Sequence, residues 1–412
     1  MKKLVSLLSI SIFLSLTVFG QNKDKAIFKE YEAGYYQNFI LKDVRNVEKI
    51  NTTKEKDKRF FMDQSELILP NDLSDYVNTL WHKPTISQGS TGTCWCFSTI
   101  SFFESEIYRM YEKKVKLSEI YVVYWEYVEK AKGFVATRGK SYFSQGSEGN
   151  AVTRMIKMYG IVPWDVYNGL PNERKFHSHD AMYREMRNYL KSVKEDNAWN
   201  EKCVIATIKS IMNHHIGEPP TEFEYDGKTI TPKEYMKNVL KFHPDDYVEI
   251  LSYKQEPYWK KVEYKVPDNW WHSKEYYNVP LDDFMNIVKS LVEDGYTVSI
   301  GGDVSEAGFL RTTNCALIPT FDIPSEYIDE NARQFRFSNK TTTDDHGMHL
   351  VGSTKFKDDY WFLIKDSSSG SRNIGEDKAE FGYYFFHEDY IKLKMMGFTV
   401  HKDAVKKVLK NF

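Results

Sequence analysis

Gln88-Gly-Ser-Thr-Gly-Thr-Cys94-Trp-Cys-Phe-Ser98 joins a glycine-punctuated loop to an apolar run of helical spacing. Trp95, Phe97, Ile100, Phe103, Ile107 and Met110 predict a helix from about Cys94 to Tyr111, with Cys94 on its first turn. The unpaired N–H groups of a helix start carry about half a positive charge, which favours thiolate over thiol. Gln88, six residues upstream, offers a side-chain amide that can face an oxyanion beside the sulfur. Cys94 is therefore the candidate nucleophile. Cys96, Cys203 and Cys315 read as small buried hydrophobes, the usual fate of a free cysteine.

This segment resembles the active-site block of the papain-like cysteine peptidases, C-G-[SA]-C-[WY]. Thr91 stands where papain and the cathepsins carry a disulfide-forming Cys, a departure shared with the bleomycin hydrolase and aminopeptidase C branch. Asp345-His346-Gly-Met-His349-Leu-Val-Gly352 resembles the family's histidine block, and the resemblance puts His346 in the place of the general base. A neutral imidazole there can take the thiol proton. His349 falls on the opposite strand face, as a core or surface polar residue. Two histidines with no third ligand nearby do not make a metal site, and no metal or organic cofactor is implied.

Ile364-Lys-Asp366-Ser-Ser-Ser-Gly370 resembles the family's Ile-Lys-Asn-Ser-Trp-Gly block with two departures. Asp366 replaces Asn, and a carboxylate accepts the imidazole's second N–H as well as an amide does. Ser368 replaces the shielding Trp, which predicts a wetter and weaker His–Asp bond. The loop Ser144–Gly149, followed by a helix Asn150–Tyr159 stopped at Gly160, resembles the non-primed wall of the papain-like cleft. Gly146, Ser147, Gly149 and Trp95 are accordingly the candidate substrate-binding residues. Leu117-Ser118-Glu119 and the run Tyr121–Glu129 are similar to the second helix of the bleomycin hydrolase branch, with Ser118 as N-cap.

The 412 residues, 41% hydrophobic, allow a large core, and a formal charge of −2 excludes the basic footprint of nucleic-acid binding. Four cysteines give no disulfide framework and no zinc spacing. Lys2-Lys3 and the short apolar run to Gly20 read as a cleavable secretory signal over 1–20. No later segment could cross a membrane, so the mature protein is expected to be exported, periplasmic or secreted.

Residues 21–80 read as an N-terminal arm, 81–169 as a helical half with the nucleophile, 170–279 as a helical insertion, and 280–412 as a β-rich half with His346 and Asp366. In the insertion, His177–Lys194 and Asn200–Met212 read as helices. Thr231-Pro-Lys-Glu234 is a capping box opening another to about Phe242, and Asn269-Trp-Trp271 marks surface aromatics. Leu281–Glu293 is an amphipathic helix, and strands follow at Thr297–Asp303, Gly347–Phe356, Tyr360–Lys365 and Gly382–Phe386. The fold class is α+β: a papain-like fold, in which a nucleophile-helix domain packs on an antiparallel barrel-like sheet, with a helical insertion. Cys94 and His346 stand roughly 250 residues apart, against about 130–150 in small papain-like enzymes; the insertion accounts for the excess.

The resemblance implies an exported cysteine peptidase that hydrolyses peptide or protein substrates through a Cys94–His346–Asp366 triad and a thioester. Aminopeptidase-like action is expected. Endopeptidase action stays open, because the chain after Phe398 stops where the C-terminal arm of that branch would begin. A homo-oligomer also stays open. The departures at Asp366 and Ser368 leave one alternative, a catalytically inactive papain-like protein that binds peptides.

Overall fold

α1 (Cys94–Tyr111) starts and stops where its apolar spacing predicts. Ile100, Phe103 and Ile107 are fully buried, and Glu112 closes the helix in the left-handed region at φ 53°. In this computed structural model the described residues are 60–412 apart from 172–173, 311–312 and 369–380, together with Tyr35, Asn38, Ile40 and Asp43. The expected signal 1–20 and most of the arm 21–80 lie outside them. Phe60–Phe412 forms one unit.

α2 (Glu119–Ala136) opens behind Ser118, whose hydroxyl accepts the Tyr121 N–H; such a cap is worth about 1 kcal/mol. α3 (Gly149–Tyr159) ends at Gly160. There φ is +80°, and a Cβ would lie 2.3 Å from the Pro232 backbone, so only glycine fits. α4 (Asp180–Glu195) begins later than the expected His177, because His177 and His179 are buried in the preceding loop. α5 (Glu201–Ile216), capped by Asn200, runs on past Met212 to Gly217. Cys203 corrects an expectation: it lies exposed on this amphipathic helix and not in the core, whereas Cys96 and Cys315 are buried. Only one face of α5 turns inward, carrying Val204, Ile208 and Met212.

β1 (Asn78–Thr79) pairs with the main sheet. β2 (Phe223–Tyr225) and β3 (Lys228–Ile230) form a hairpin around Asp226-Gly227, both at positive φ. The Thr231–Glu234 capping box is present, but the helix it opens is short and passes into a π-type turn, Tyr235–Val239.

From Tyr247 onward the span 170–279 is not helical. β4 (Tyr247–Leu251), β5 (Lys260–Val262) and β6 (Tyr276–Asn278) join the sheet. Tyr247-Val-Glu-Ile-Leu251 is rich in residues that favour strands, and pairing with a distant strand fixes it as one. Trp270 is half-buried rather than superficial: its ring fills the space over Gly133, where a Cβ would come within 2.4 Å of it.

α6 (Leu281–Glu293) has the predicted bounds. β7 (Val298–Gly302), β8 (Phe309–Leu310), β9 (Cys315–Ala316) and α7 (Glu330–Ser338) follow. The chain closes with β10 (His346–Phe356), β11 (Asp359–Lys365), β12 (Tyr383–His387), α8 (Glu388–Lys394), β13 (Met395–His401) and the single turn α9 (Lys406–Leu409). The sheet runs β5-β6-β4-β13-β7-β10-β11-β12-β9-β8. Pairing is antiparallel except at β4–β6 and β9–β12.

Helices α1 and α2 anchor one core cluster, and α6 with the inner face of the sheet anchors another. α1 lies across β7 and β10. The approach is close because Gly347 carries no side chain: a Cβ there would sit 3.1 Å from Ser98 Oγ and 3.3 Å from Trp95 Cα. Thr99 and Ser299 hydroxyls join helix to sheet at 3.0 Å.

Candidate active site

Cys94 is the first residue of α1 and half-exposed. Thr93 precedes it without capping the helix through its side chain, which bonds Thr91 at 2.6 Å instead. The first-turn N–H groups therefore keep their positive character beside the sulfur. The other wall comes from the sheet. β10 begins at His346, and the short connection before it is held by Asp345, which accepts the Val304 N–H at 3.0 Å. His346 thus faces Cys94, and the thiol is among its hydrogen-bonding neighbours.

The ring's far side is fixed. His346 Nε2 meets Asp366 Oδ1 at 2.7 Å, with both side chains at least nine-tenths buried. Burial alone would pull the imidazole pKa down. The charge of Asp366, then that of Cys94, outweighs it, and His346 is held well above the usual imidazole value. Burial likewise pushes Asp366 up, but His346 and the donors on Ser368 bring it below the usual carboxylate value.

The expected wetting of this bond does not occur. Asp366 is 1% exposed, and Ser368 in the position of the missing Trp donates to both carboxylate oxygens. A hydroxyl close to the carboxylate replaces shielding by a ring with direct hydrogen bonding.

Gln88 is buried one strand of loop away. Its Nε2 donates to the Thr91 carbonyl at 2.7 Å, and its Oε1 accepts from Ser367 at 2.9 Å. The Trp95 indole is buried and donates to the Gln145 carbonyl at 3.1 Å, while Gln145 Oε1 accepts the Gly92 N–H. These two bonds tie the nucleophile loop to the loop 144–149.

Cys94, Trp95, Gly146, Ser147, Gly149 and His346 line one cavity of about 160 Å³. All four predicted substrate-binding residues and two of the four catalytic candidates thus share it. Gln88 and Asp366 stand behind its wall. Phe412, at the far end of the chain, packs on Trp259 and Tyr277, and none of the lining residues follows Thr399.

Several lining residues escaped sequence reasoning. Glu148, Glu249, Asp268 and Asp344 turn the same cavity acidic, with Tyr264 and Tyr276 between them. Glu148 and Asp344 could have been found, since each adjoins a motif residue. Glu249 could not, because only the β4–β13 pairing brings it here. Glu126 was also missed. Fully buried on α2, it binds Ser147 Oγ at 2.8 Å, Arg154 at 2.7 Å and the Trp270 indole at 2.7 Å, and so fixes the cleft loop.

His349 is fully buried behind α1, 2.8 Å from Ser101 Oγ. Its place on the opposite strand face is as read. Among the described residues, no three His, Cys, Asp or Glu are placed to hold a metal ion, and no helix is long and apolar enough to cross a membrane.

The chain is 22% identical over 370 residues to aminopeptidase C of Streptococcus thermophilus, covering 77% of this chain and 80% of that one. It is 22% identical to bleomycin hydrolase of Gallus gallus, covering 78% and 81%. The crystal structure of PepW from Lactobacillus rhamnosis HN001 superposes with a TM-score of 0.66 at 18% identity, covering 93% of this chain and 95% of that one. A family profile described as the Peptidase C1-like family matches residues 47–412. The chain belongs to the Peptidase C1-like family and is a cysteine-type peptidase.

Proposed function

We propose that Cys94, His346 and Asp366 are the catalytic triad of this peptidase. The observation that carries the reading is His346, pinned to Asp366 at 2.7 Å on one side and facing Cys94 at the start of α1 on the other. The Cys94 thiolate adds to a peptide carbonyl. The oxyanion is held by the Cys94 backbone N–H and by the Gln88 amide, whose nitrogen has a second hydrogen beyond the one given to Thr91. Imidazolium at His346 protonates the leaving amine as the tetrahedral adduct collapses to a thioester. His346 then takes a proton from water, which attacks the thioester and releases the acid and the thiolate. The inactive alternative finds little support, since Asp366 and Ser368 preserve a dry, fully bonded orienter.

Relatives named aminopeptidase C support removal of residues from a free N-terminus as the mode of cleavage. The sequence of residues 1–20 supports export, which is tested by locating the mature N-terminus in fractionated cells. The central test is alkylation at pH 6 with the site mapped by mass spectrometry. Rapid labelling confined to Cys94 and lost in His346→Ala is expected, and Cys94→Ala should cleave no peptide. Labelling no faster than that of a free thiol would overturn the triad. Comparing free and N-acetylated peptides separates exo- from endopeptidase action.

A further inference from the structure

The carboxylates of the cavity outnumber anything that could neutralise them. Its lining includes Glu148, Glu249, Asp268, Asp344 and Asp345 against one histidine, His346, and no Lys or Arg. Two of the five have evident occupations. Asp345 accepts from Val304 and Ser305. Asp268 accepts from Ser144 at 3.1 Å and presses on Gly146, and the Lys130 ammonium, bound to the Ser144 and Gly146 carbonyls, lies within electrostatic reach of Asp268 and Glu148.

Glu148, Glu249 and Asp344 are different. Glu249 is 8% exposed, and a single hydroxyl, that of Thr399, serves both its oxygens at 2.8 and 3.0 Å. Glu148 and Asp344 lie against each other. Burial, followed by neighbouring carboxylates, raises both, Asp344 to about 7. Burial raises Glu249 to about 7. Buried acids with no cation in contact hold protons that a paired cation would expel.

A second observation is independent of charge. Tyr264 is 2% exposed and lines the same recess, and its hydroxyl has no well-aligned hydrogen-bond partner although Asp344 is beside it. A buried polar atom left this way costs free energy unless a ligand engages it.

We propose that the recess formed by Glu148, Glu249 and Asp344, with Tyr264, receives a cationic group of the peptide substrate. The group is an ammonium or guanidinium, and its capture places the scissile carbonyl at Cys94. This rests on the triad reading and adds a substrate class to it. The carboxylates are not arranged to coordinate a metal ion, whereas an extended ammonium or guanidinium can bridge them by charge-assisted hydrogen bonds. The cation has two sources in a peptide, a Lys or Arg side chain and a free N-terminal amine.

The test follows protection of Cys94 from iodoacetamide in the full chain, a readout that needs no turnover. The probes are four peptides identical but for one residue or one end: N-acetylated with Lys, Arg or norleucine, and the norleucine peptide with a free amine. Lys and Arg peptides are expected to protect at about tenfold lower concentration than acetyl-norleucine, as charge-assisted bonds require. The advantage should shrink toward parity in Glu148→Gln and in Glu249→Gln. If the free-amine norleucine peptide alone shows it, the source is the N-terminus.

Equal protection by all four peptides overturns the proposal, as does an advantage that survives both substitutions. Hydrolysis of the same peptides is measured separately. Discrimination with no hydrolysis even of the free-amine peptide would remove the triad reading and leave the recess; hydrolysis without discrimination would do the reverse.

Discussion

Ser368 donates its backbone N–H to one oxygen of Asp366 and its hydroxyl to the other, each at 2.8 Å. The first of those oxygens also holds His346. The carboxylate is thus oriented from two sides, and its charge is what keeps the imidazole basic.

The pH profile should therefore respond to the charge of residue 366. His346 is raised, so its imidazolium persists to higher pH than that of a free histidine. Asp366→Asn keeps an acceptor but removes the charge, and lowers the His346 pKa. The alkaline limb of kcat/KM, set by loss of the imidazolium that protonates the leaving amine, should move to lower pH by about one unit or more. Ser368→Ala, which retains the backbone N–H, should move it far less.

Acid should destabilise the protein through histidines that take no part in the chemistry. Burial lowers His82 and His177 to about 4, His179 to about 3, and His349 well below its usual value. The unfolded chain binds protons at these positions from about pH 6.5 downward while the folded one does not. Stability then falls as pH drops from 6.5 toward 4, by up to about 1.4 kcal/mol per pH unit for each histidine. Thermal unfolding across pH 4–8 should show this slope, and His179→Asn should reduce it by about one proton.

Glu126 should be the costliest acidic residue to truncate. Glu126→Ala strips Arg154, Ser147 and Trp270 of a common partner and leaves a largely buried guanidinium uncompensated. A loss of about 3–5 kcal/mol is expected in denaturant unfolding. Glu126→Gln, which keeps the acceptor oxygen, should lose less.

Gly146 should matter to catalysis more than to folding. A Cβ there would sit 2.2 Å from Asp268 Oδ2, so Gly146→Ala must displace the cleft loop or the carboxylate. Shifts of this size at a reacting centre cost up to about 100-fold in kcat/KM. Thermal stability should change little.

Features encoded locally were legible in the sequence. The α1 bounds, the Ser118 and Thr231 caps and the Leu281–Glu293 helix depend on neighbours a few residues away, and each was found in place. His346 is picked out by the resemblance of its flanking residues, and the structure sets it at the start of β10 beside Cys94, while Gly347 and His349 are the positions that meet α1. What could not be seen depended on pairing across the chain. Tyr247–Leu251 becomes a strand only beside β13, and Glu249 reaches the cavity only through that pairing. The dryness of Asp366 was misjudged because absence of a large ring says nothing of a small donor folded back onto the carboxylate.

The span between residues 170 and 279 contributes Glu249, Tyr264, Asp268 and Tyr276 to a cavity whose Cys94 and His346 come from either side of it. The reacting sulfur and imidazole thus lie outside this span, while part of the wall that would meet a substrate lies inside it. A lineage can renew its diet by redrawing this wall while the sulfur and imidazole keep their places.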